Sequence, residues 1–387
     1  MDFDETPAQS AVREAARALA GRFPEEYWQG IEAEHRFPLE FWQALAEQDL
    51  LGIAVPEEYG GAGQGVLEVA IAAETLAEHG AGMEGGGLHV AGPVFGGTLL
   101  TRHGTPEQKA AGLPGIVTGD VWAGAFTEPD AGSNITRIRT SAQRRGDVYV
   151  VNGQKAFISQ MAMASRVVVM ARTEPYDPAH RSRGISLLAG FLPSPQVEVQ
   201  PMAKMGSRFM DTNHVFFDDY EVPGEELIGT AGDAWAPLYD VLNPERIVIA
   251  AAAVGTGNLA VRRAVAYAGE RQVWGGPIGR HQGIQFPLAQ ARMDLAAARL
   301  KVYEAAWLYD RGRDCGIAAA TAKYTAAHAA LRAADAAIQT LGGAGYIVES
   351  GVERHWRNLR LSRLAPVSDE MTLNYIAQHD LGMPRSY

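Results

Sequence analysis

Asn243-Pro244-Glu245-Arg246-Ile247-Val248-Ile249-Ala250-Ala251-Ala252-Ala253-Val254-Gly255-Thr256-Gly257-Asn258-Leu259-Ala260 admits two readings, and the fold turns on which one holds. Its last six residues match G-x-G-x-x-A, the fingerprint of a strand turning into a helix beneath a dinucleotide pyrophosphate. The context is helical instead. Asn243 is a good N-cap and Pro244 suits a first helical position, so the apolar run 247–254 reads as helix. No βαβ unit follows, and Trp274-Gly275-Gly276-Pro277 stands where a ribose-binding acid would fall. The glycines are then expected to ease close helix packing.

Downstream the chain is alanine-dense. Met293, Ala296, Ala297, Leu300, Tyr303 and Trp307 share one helical face, and 318–341 continues in the same style to Gly342-Gly343. Small residues let helices approach closely, so a four-helix bundle is expected over 231–387. Upstream the pattern changes near residue 121. Val148-Tyr149-Val150-Val151, the turn signal Asn152-Gly153 and Ala156-Phe157-Ile158 predict a hairpin. Runs at 122–126, 167–170, 185–188, 197–199 and 215–217 have strand lengths, with Pro193, Pro195, Pro201 and Pro223 between or beyond them. A β-barrel or sandwich is expected over 121–230.

The segment 1–120 reads as helical. Thr6-Pro7 supplies a cap and a first-turn proline ahead of Ala11, Val12, Ala15, Ala16 and Leu19. Pro38 opens a run with Phe41, Leu45 and Leu50; 66–76 is evenly apolar, and Thr105-Pro106 starts another helix. The fold class is therefore α+β multidomain: a helical N-terminal domain, a middle β domain and a C-terminal bundle.

With 34 Lys+Arg against 45 Asp+Glu the chain carries −11, which argues against a nucleic-acid partner. A local cationic pocket for an anionic ligand remains compatible with that balance. Hydrophobic residues at 47% and charged ones at 20% describe a globular chain. The single cysteine, Cys315, rules out an internal disulfide framework and a thiolate cage, and no metal site is expected. No stretch reaches the ~20 uncharged apolar residues of a membrane span. Met1-Asp2-Phe3-Asp4-Glu5 is acidic and Pro384-Arg385-Ser386-Tyr387 is no obvious address, so a cytoplasmic location is expected.

Three further segments carry chemistry. Thr127-Glu128-Pro129-Asp130-Ala131-Gly132-Ser133 can offer backbone N–H groups to a phosphate, though an ordinary β-turn has the same composition. In Lys155-Ala156-Phe157-Ile158-Ser159, strand alternation puts Phe157 and Ser159 on one side, a flat ring beside a hydroxyl. Glu245 falls in the first turn of the helix capped by Asn243. There an acidic side chain stabilises the helix by roughly 0.3–1 kcal/mol, and its pKa is depressed. A general base working near neutrality is instead tuned upward by desolvation.

Together these segments resemble the acyl-CoA dehydrogenase family across nearly the whole chain. The matching stretches are Phe126 through Ser133, Lys155 through Ser159, Lys204-Met205-Gly206-Ser207-Arg208, Val215-Phe216-Phe217-Asp218 and Val222-Pro223. Glu270-Arg271 before Trp274-Gly275, His281-Gln282, and Gln339-Thr340-Leu341-Gly342-Gly343-Ala344-Gly345-Tyr346 follow in register. The resemblance implies noncovalent FAD between the β domain and the bundle. Phe126, Thr127, Gly132 and Ser133 would contact flavin and pyrophosphate, Phe157 would lie against the isoalloxazine, and Ile158 and Ser159 would sit at its edge. Arg271, His281, Gln282, Gln339, Gly342 and Gly343 would reach the FAD of a neighbouring subunit in a dimer-of-dimers homotetramer. Ser368 and Glu370, with Asp369 between them, align with adenine-side contacts. Ser133, Asn243 and Arg246 would touch acyl-CoA.

The implied reaction is α,β-dehydrogenation of an acyl-CoA thioester to a trans-2-enoyl-CoA. A carboxylate takes the α-proton and hydride leaves Cβ for flavin N5, with electrons passed on to an electron-transfer flavoprotein. Most of the family places the base in a Tyr-Glu-Gly-Thr segment, but the equivalent here is Ala365-Pro366-Val367-Ser368. A minority, the isovaleryl-CoA and long-chain enzymes, supplies it from the bundle helix, and Glu-Arg there matches Glu245-Arg246. Glu245 is the expected base, with Glu370 and Asp369 as fallbacks. Proline at 366 also lacks the N–H that usually donates to the thioester carbonyl. The loop is shifted, another group donates, or the site is less activating. Two rivals keep the scaffold: an acyl-CoA oxidase-like flavoenzyme, and a catalytically silent acyl-CoA- or FAD-binding member. Gly85, Gly86, Gly87 and Ala91 are either room for a bulky acyl chain or a tight loop.

Overall fold

Thr6 Oγ1 accepts from the Gln9 backbone N–H at 3.2 Å while the Gln9 side chain returns to Thr6 N at 3.0 Å, a reciprocal cap that starts α1 (Pro7–Ala20). The computed structural model describes residues 4–386; the expectations for Met1 to Phe3 and for Tyr387 lie outside the described residues. Four more helices follow in the N-terminal region: α2 (Glu25–Glu34), α3 (Leu39–Glu47), α4 (Val66–Leu76) and α5 (Pro106–Thr118). Helix α2 was not foreseen; its buried side is only Trp28, Ile31 and Glu32, too short a pattern to signal itself. Helix α5 opens with the same cap, Thr105 with Gln108, and runs through Pro114.

Residues 77–103 are a run of short helical pieces, with wide turns at 77–81 and 91–98, ordinary α turns at 82–86 and 99–103 and a tight turn at 87–90, broken at Gly80 (φ +129°) and Gly82 (φ +56°). Gly85 and Gly86 are packing glycines. A Cβ at Gly85 would come 2.3 Å from Ala81 Cβ, and one at Gly86 would come 2.5 Å from the Ala73 carbonyl. Gly87 differs: its nearest neighbours across the gap are Ile249 and Met83 at 3.8 and 3.9 Å.

The middle region is an eight-stranded sheet of β1 (Trp122–Ala125), β2 (Ser141–Arg145), β3 (Val148–Ser159), β4 (Arg166–Arg172), β5 (Ile185–Phe191), β6 (Val197–Pro201), β7 (Thr212–Pro223) and β8 (Leu227–Ile228). The order is β6-β7-β3-β2-β4-β5-β8, with β1 running parallel beside β4. The expected hairpin turn at Asn152-Gly153 is not there. β3 runs straight through it, and the turn lies at Gly146 (φ +62°), between β2 and β3. Gly153 marks a register shift against β7, where a Cβ would come 2.6 Å from Thr140 Oγ1.

The C-terminal region holds α6 (Trp235–Glu270), α7 (Gln282–Asp310), α8 (Gly316–Leu341), α9 (Val352–Leu361) and α10 (Asp369–His379). Two expectations change here. Helix α6 starts at Trp235, so Asn243 is not its cap and Pro244 is interior. In α7 the core face is Leu288, Ala291, Leu295, Ala298, Val302, Ala305 and Tyr309, while Met293, Leu300 and Trp307, read as sharing one helical face, lie on the exposed one. The helix is apolar on both faces, and the 3–4 spacing of Leu288 through Tyr309 is the one that meets its neighbours. Helix α6 is long and apolar enough to cross a bilayer, but 83% of its most apolar window is buried in the protein. Its glycines explain the G-x-G-x-x-A string. A Cβ on Gly255 would come 2.2 Å from the Glu74 carbonyl, and one on Gly257 would come 2.6 Å from Leu295.

Candidate active site

Pro244 withholds the N–H that would bond the carbonyl of Asp240, four residues earlier. The Tyr309 hydroxyl donates to that carbonyl instead, at 3.0 Å, so α6 continues past the proline. Glu245 therefore lies ten residues beyond Trp235, away from the depressing field of a helix N-terminus. With Leu242 and Ile249 it forms a half-buried face of a helix otherwise buried between 246 and 254. Glu245 itself is half-buried, and protein surrounds the carboxylate closely enough for desolvation to dominate. Burial pushes its pKa up to about 8, and the Arg246 charge opposes this only in part.

Among the described residues, the Glu245 carboxylate accepts no hydrogen bond. Other buried carboxylates have cationic partners: Glu74 lies 2.8 Å from Arg299, and Glu84 lies 2.8 Å from Arg354. The fallback Asp369 is held by Arg363 at 2.6 Å, His328 at 2.9 Å and Lys323 at 3.6 Å, which together draw its carboxyl below the usual range against the cost of burial. Glu370 is exposed in the first turn of α10. The Pro366 loop holds no carboxylate, and its Val367 carbonyl accepts Lys323 Nζ at 2.6 Å. Ser368 caps α10 by accepting from Met371 N.

Arg246 is 8% exposed; it donates to Asn243 Oδ1 at 3.2 Å, and its Nε has no partner. A buried guanidinium with donors to spare suits an anionic group. Across from this face, Gly87, Val90 and Phe95 are half-buried, and Phe95 meets Phe126 edge-on at 5.8 Å between ring centres. That contact joins the segment packed on α6 to the end of β1.

Beyond β1, Glu128 and Ala131 exchange backbone hydrogen bonds at 3.2 and 3.1 Å, closing the turn 126–133. Phe126 and Thr127 are half-buried; Gly132 and Ser133 are exposed, and their N–H groups have no partner among the described residues. On β3 Phe157, Ile158 and Ser159 read exposed, buried and half-buried, as alternation expects, but the strand is irregular just before them. A register shift between Lys155 and Ile158 turns Lys155, Ala156 and Ile158 inward and leaves Ser159 half-buried. Phe157 is thrown outward at φ +62° with 62% of its surface exposed. A bulky side chain at positive φ costs roughly 1–3 kcal/mol and persists only where the surrounding structure holds it. An outward aromatic face beside a turn with free N–H groups fits a flavin with its pyrophosphate.

The other expected cofactor contacts lie on the outside of the chain except His281, which is half-buried with its Nε2 enclosed and without a partner among the described residues. Arg271 ends α6 with an exposed side chain that makes no hydrogen bond among the described residues, His281 precedes α7, and Gln282 opens it. Gln339, Gly342 and Gly343 are exposed at the end of α8. None is hydrogen-bonded to the turn 126–133 among the described residues. Sequence reasoning missed Tyr309, Phe95 and the Glu128–Lys155 pair. The only hint of Tyr309 is the proline it compensates.

Models of the acyl-CoA dehydrogenase N-terminal, middle and C-terminal domains match residues 6–120, 123–220 and 235–381. The acyl-CoA dehydrogenase FadE12 of Mycobacterium tuberculosis is 40% identical over 392 aligned positions, covering 100% of this chain and 99% of that protein. The structure of butyryl-CoA dehydrogenase from Megasphaera elsdenii superposes with a TM-score of 0.91 at 30% identity, over 96% of this chain and 98% of that one. A structure described as the FAD complex of PigA superposes with a TM-score of 0.92 at 28% identity, over 99% of each chain.

Proposed function

The chain belongs to the FAD-dependent acyl-CoA dehydrogenase family, and from that premise we propose that it desaturates the Cα–Cβ bond of an acyl-CoA thioester with Glu245 as the base. The observation that carries the reading is the unpaired, desolvated carboxylate of Glu245 on the half-buried face of α6. A carboxylate with a pKa of about 8 is matched to accepting a weakly acidic α-proton near neutral pH. Bound FAD supplies the acceptor for the hydride from Cβ. Phe157, Ile158, Ser159 and the turn from Phe126 to Ser133 hold its ring and pyrophosphate, and Ser368 and Glu370 serve the adenine side. Arg246, Asn243 and Ser133 hold the acyl-CoA.

The exposed ridge Phe286, Met293, Leu300 and Trp307 repeats every seven residues along α7, the pattern of a helix that packs on another chain. It supports a homotetramer in which Arg271, His281, Gln282, Gln339, Gly342 and Gly343 serve a neighbour's FAD. Electrons leave to an electron-transfer flavoprotein. In the test, Glu245→Gln keeps yellow FAD and binds acyl-CoA but loses flavin bleaching by substrate. Undiminished bleaching removes Glu245 from the role.

A further inference from the structure

We propose that the buried ion pair of Lys155 and Glu128 is a clasp that positions the turn 126–133 and Phe157 as one unit and thereby governs retention of FAD. The proposal rests on the flavin-binding role of that turn given above.

Lys155 has no exposed side-chain surface and Glu128 very little; their charged atoms lie 2.9 Å apart. Lys155 Nζ also donates to the Phe126 carbonyl at 2.9 Å. The Glu128 carboxylate accepts from the backbone N–H groups of Arg139 at 2.6 Å and Thr140 at 2.9 Å. The next residue on β3, Ala156, donates its N–H to the Thr127 carbonyl at 2.9 Å. Phe126, Thr127 and Glu128 are thus each tied to residues 155 and 156, immediately before Phe157. The bulge that throws Phe157 outward sits between these ties and Ile158. The turn and the ring cannot move independently while the pair is intact.

Stability alone does not explain such a pair. Desolvating two charges costs about as much as their attraction returns, and well-packed apolar residues often serve a core equally well. What the pair adds is direction: four hydrogen bonds at fixed angles from two side chains. We therefore assign both as positioning residues, acting on FAD through the turn.

The test compares Lys155→Met and Glu128→Gln holoenzymes with the wild type. It measures FAD release on dilution by flavin fluorescence, and the visible circular dichroism of bound flavin at saturating FAD. Arg166→Met, which breaks a 2.6 Å ion pair to Glu226 on the same sheet, controls for general loosening. Lys155→Met is expected to release FAD about tenfold faster with an altered dichroism band, and Glu128→Gln to move the same way less far. Adding the second substitution should change little more, and Arg166→Met should leave both readouts unchanged. Wild-type release and dichroism in Lys155→Met overturn the proposal, as does equal acceleration in Arg166→Met. Failure of both clasp variants to fold overturns it as well, since the pair would then hold the domain and not the turn. A wild-type chain that takes up no FAD is a different result: it overturns the flavoenzyme reading itself.

Discussion

The hydroxyl of Tyr309 on α7 occupies the hydrogen-bonding place that Pro244 leaves open at the Asp240 carbonyl on α6. Arg102 lies over the Tyr309 ring at 4.0 Å, and His103 meets the Asp240 carboxylate at 2.8 Å, so both partners are held from a third segment. The residue after the proline is Glu245. The position of the proposed base is thus tied to a contact between two helices.

Tyr309→Phe removes the donor and leaves a buried carbonyl without a partner. The expected loss is about 1–3 kcal/mol of stability, read by denaturant unfolding. Turnover should fall with it, while binding of acyl-CoA stays near wild type. A variant as stable as the wild type would show that water replaces the hydroxyl.

The pKa of Glu245 predicts the pH profile of kcat/KM, which reports the free enzyme. The base must be ionised, so the rate rises as pH climbs through about 8 and levels above it. Arg246→Met removes the positive charge that favours ionisation, so the midpoint moves upward. A profile flat from pH 6 to 9 contradicts this.

The same shift makes the ionised Glu245 a cost to folding. Because its folded pKa lies above the ordinary carboxylate value of about 4.5, folded protein between those values holds a proton that unfolded protein has lost. The stability tied to that proton is complete below about 4.5 and drains away as pH rises through about 8. Glu245→Gln should therefore be more stable than wild type at pH 9, with the gap closing toward acid. Equal melting at both ends of the range would contradict burial as the cause.

Neighbouring glycines should answer alanine differently. Gly85→Ala and Gly86→Ala drive a methyl into Ala81 and into the Ala73 carbonyl, and overpacking of that kind costs about 1–3 kcal/mol. Gly87→Ala meets Ile249 and Met83 at ordinary contact distance and should melt as the wild type does. Because Ile249 lies one turn beyond Glu245, Gly87→Leu should narrow the range of acyl chains that bleach the flavin.

The α7 ridge gives an association test. Met293→Glu with Leu300→Glu places charge on a face that is already exposed in the single chain, so each protomer should fold normally. Sedimentation velocity should show smaller species than for the wild type, and an unchanged profile would move the interface elsewhere.

Where the governing contacts are local, the sequence was readable. The caps at Thr6 and Thr105 need only the residue three positions on, and both form as expected. The glycines of the 255–260 string follow from their helical surroundings. What misled was punctuation overruled at a distance. Asn243-Pro244 has the form of a helix start, but the donor that lets α6 run through it comes from Tyr309. Asn152-Gly153 has the form of a hairpin turn, but Thr140 closing on Gly153 makes it a bulge. Glu245 was picked out by resemblance, and its lack of a hydrogen-bonding partner emerged only from the packing around it.

The wide turns within 77–103 bear on how this chain could be altered. The wide turns at 77–81 and 91–98 each hold one more residue than an ordinary helical turn, so a residue lost there can be absorbed locally. Gly87, which has space in front of it and faces Ile249 one turn from Glu245, makes the stretch a natural place to retune what reaches that helix, while α6 and the turn 126–133 stay as they are.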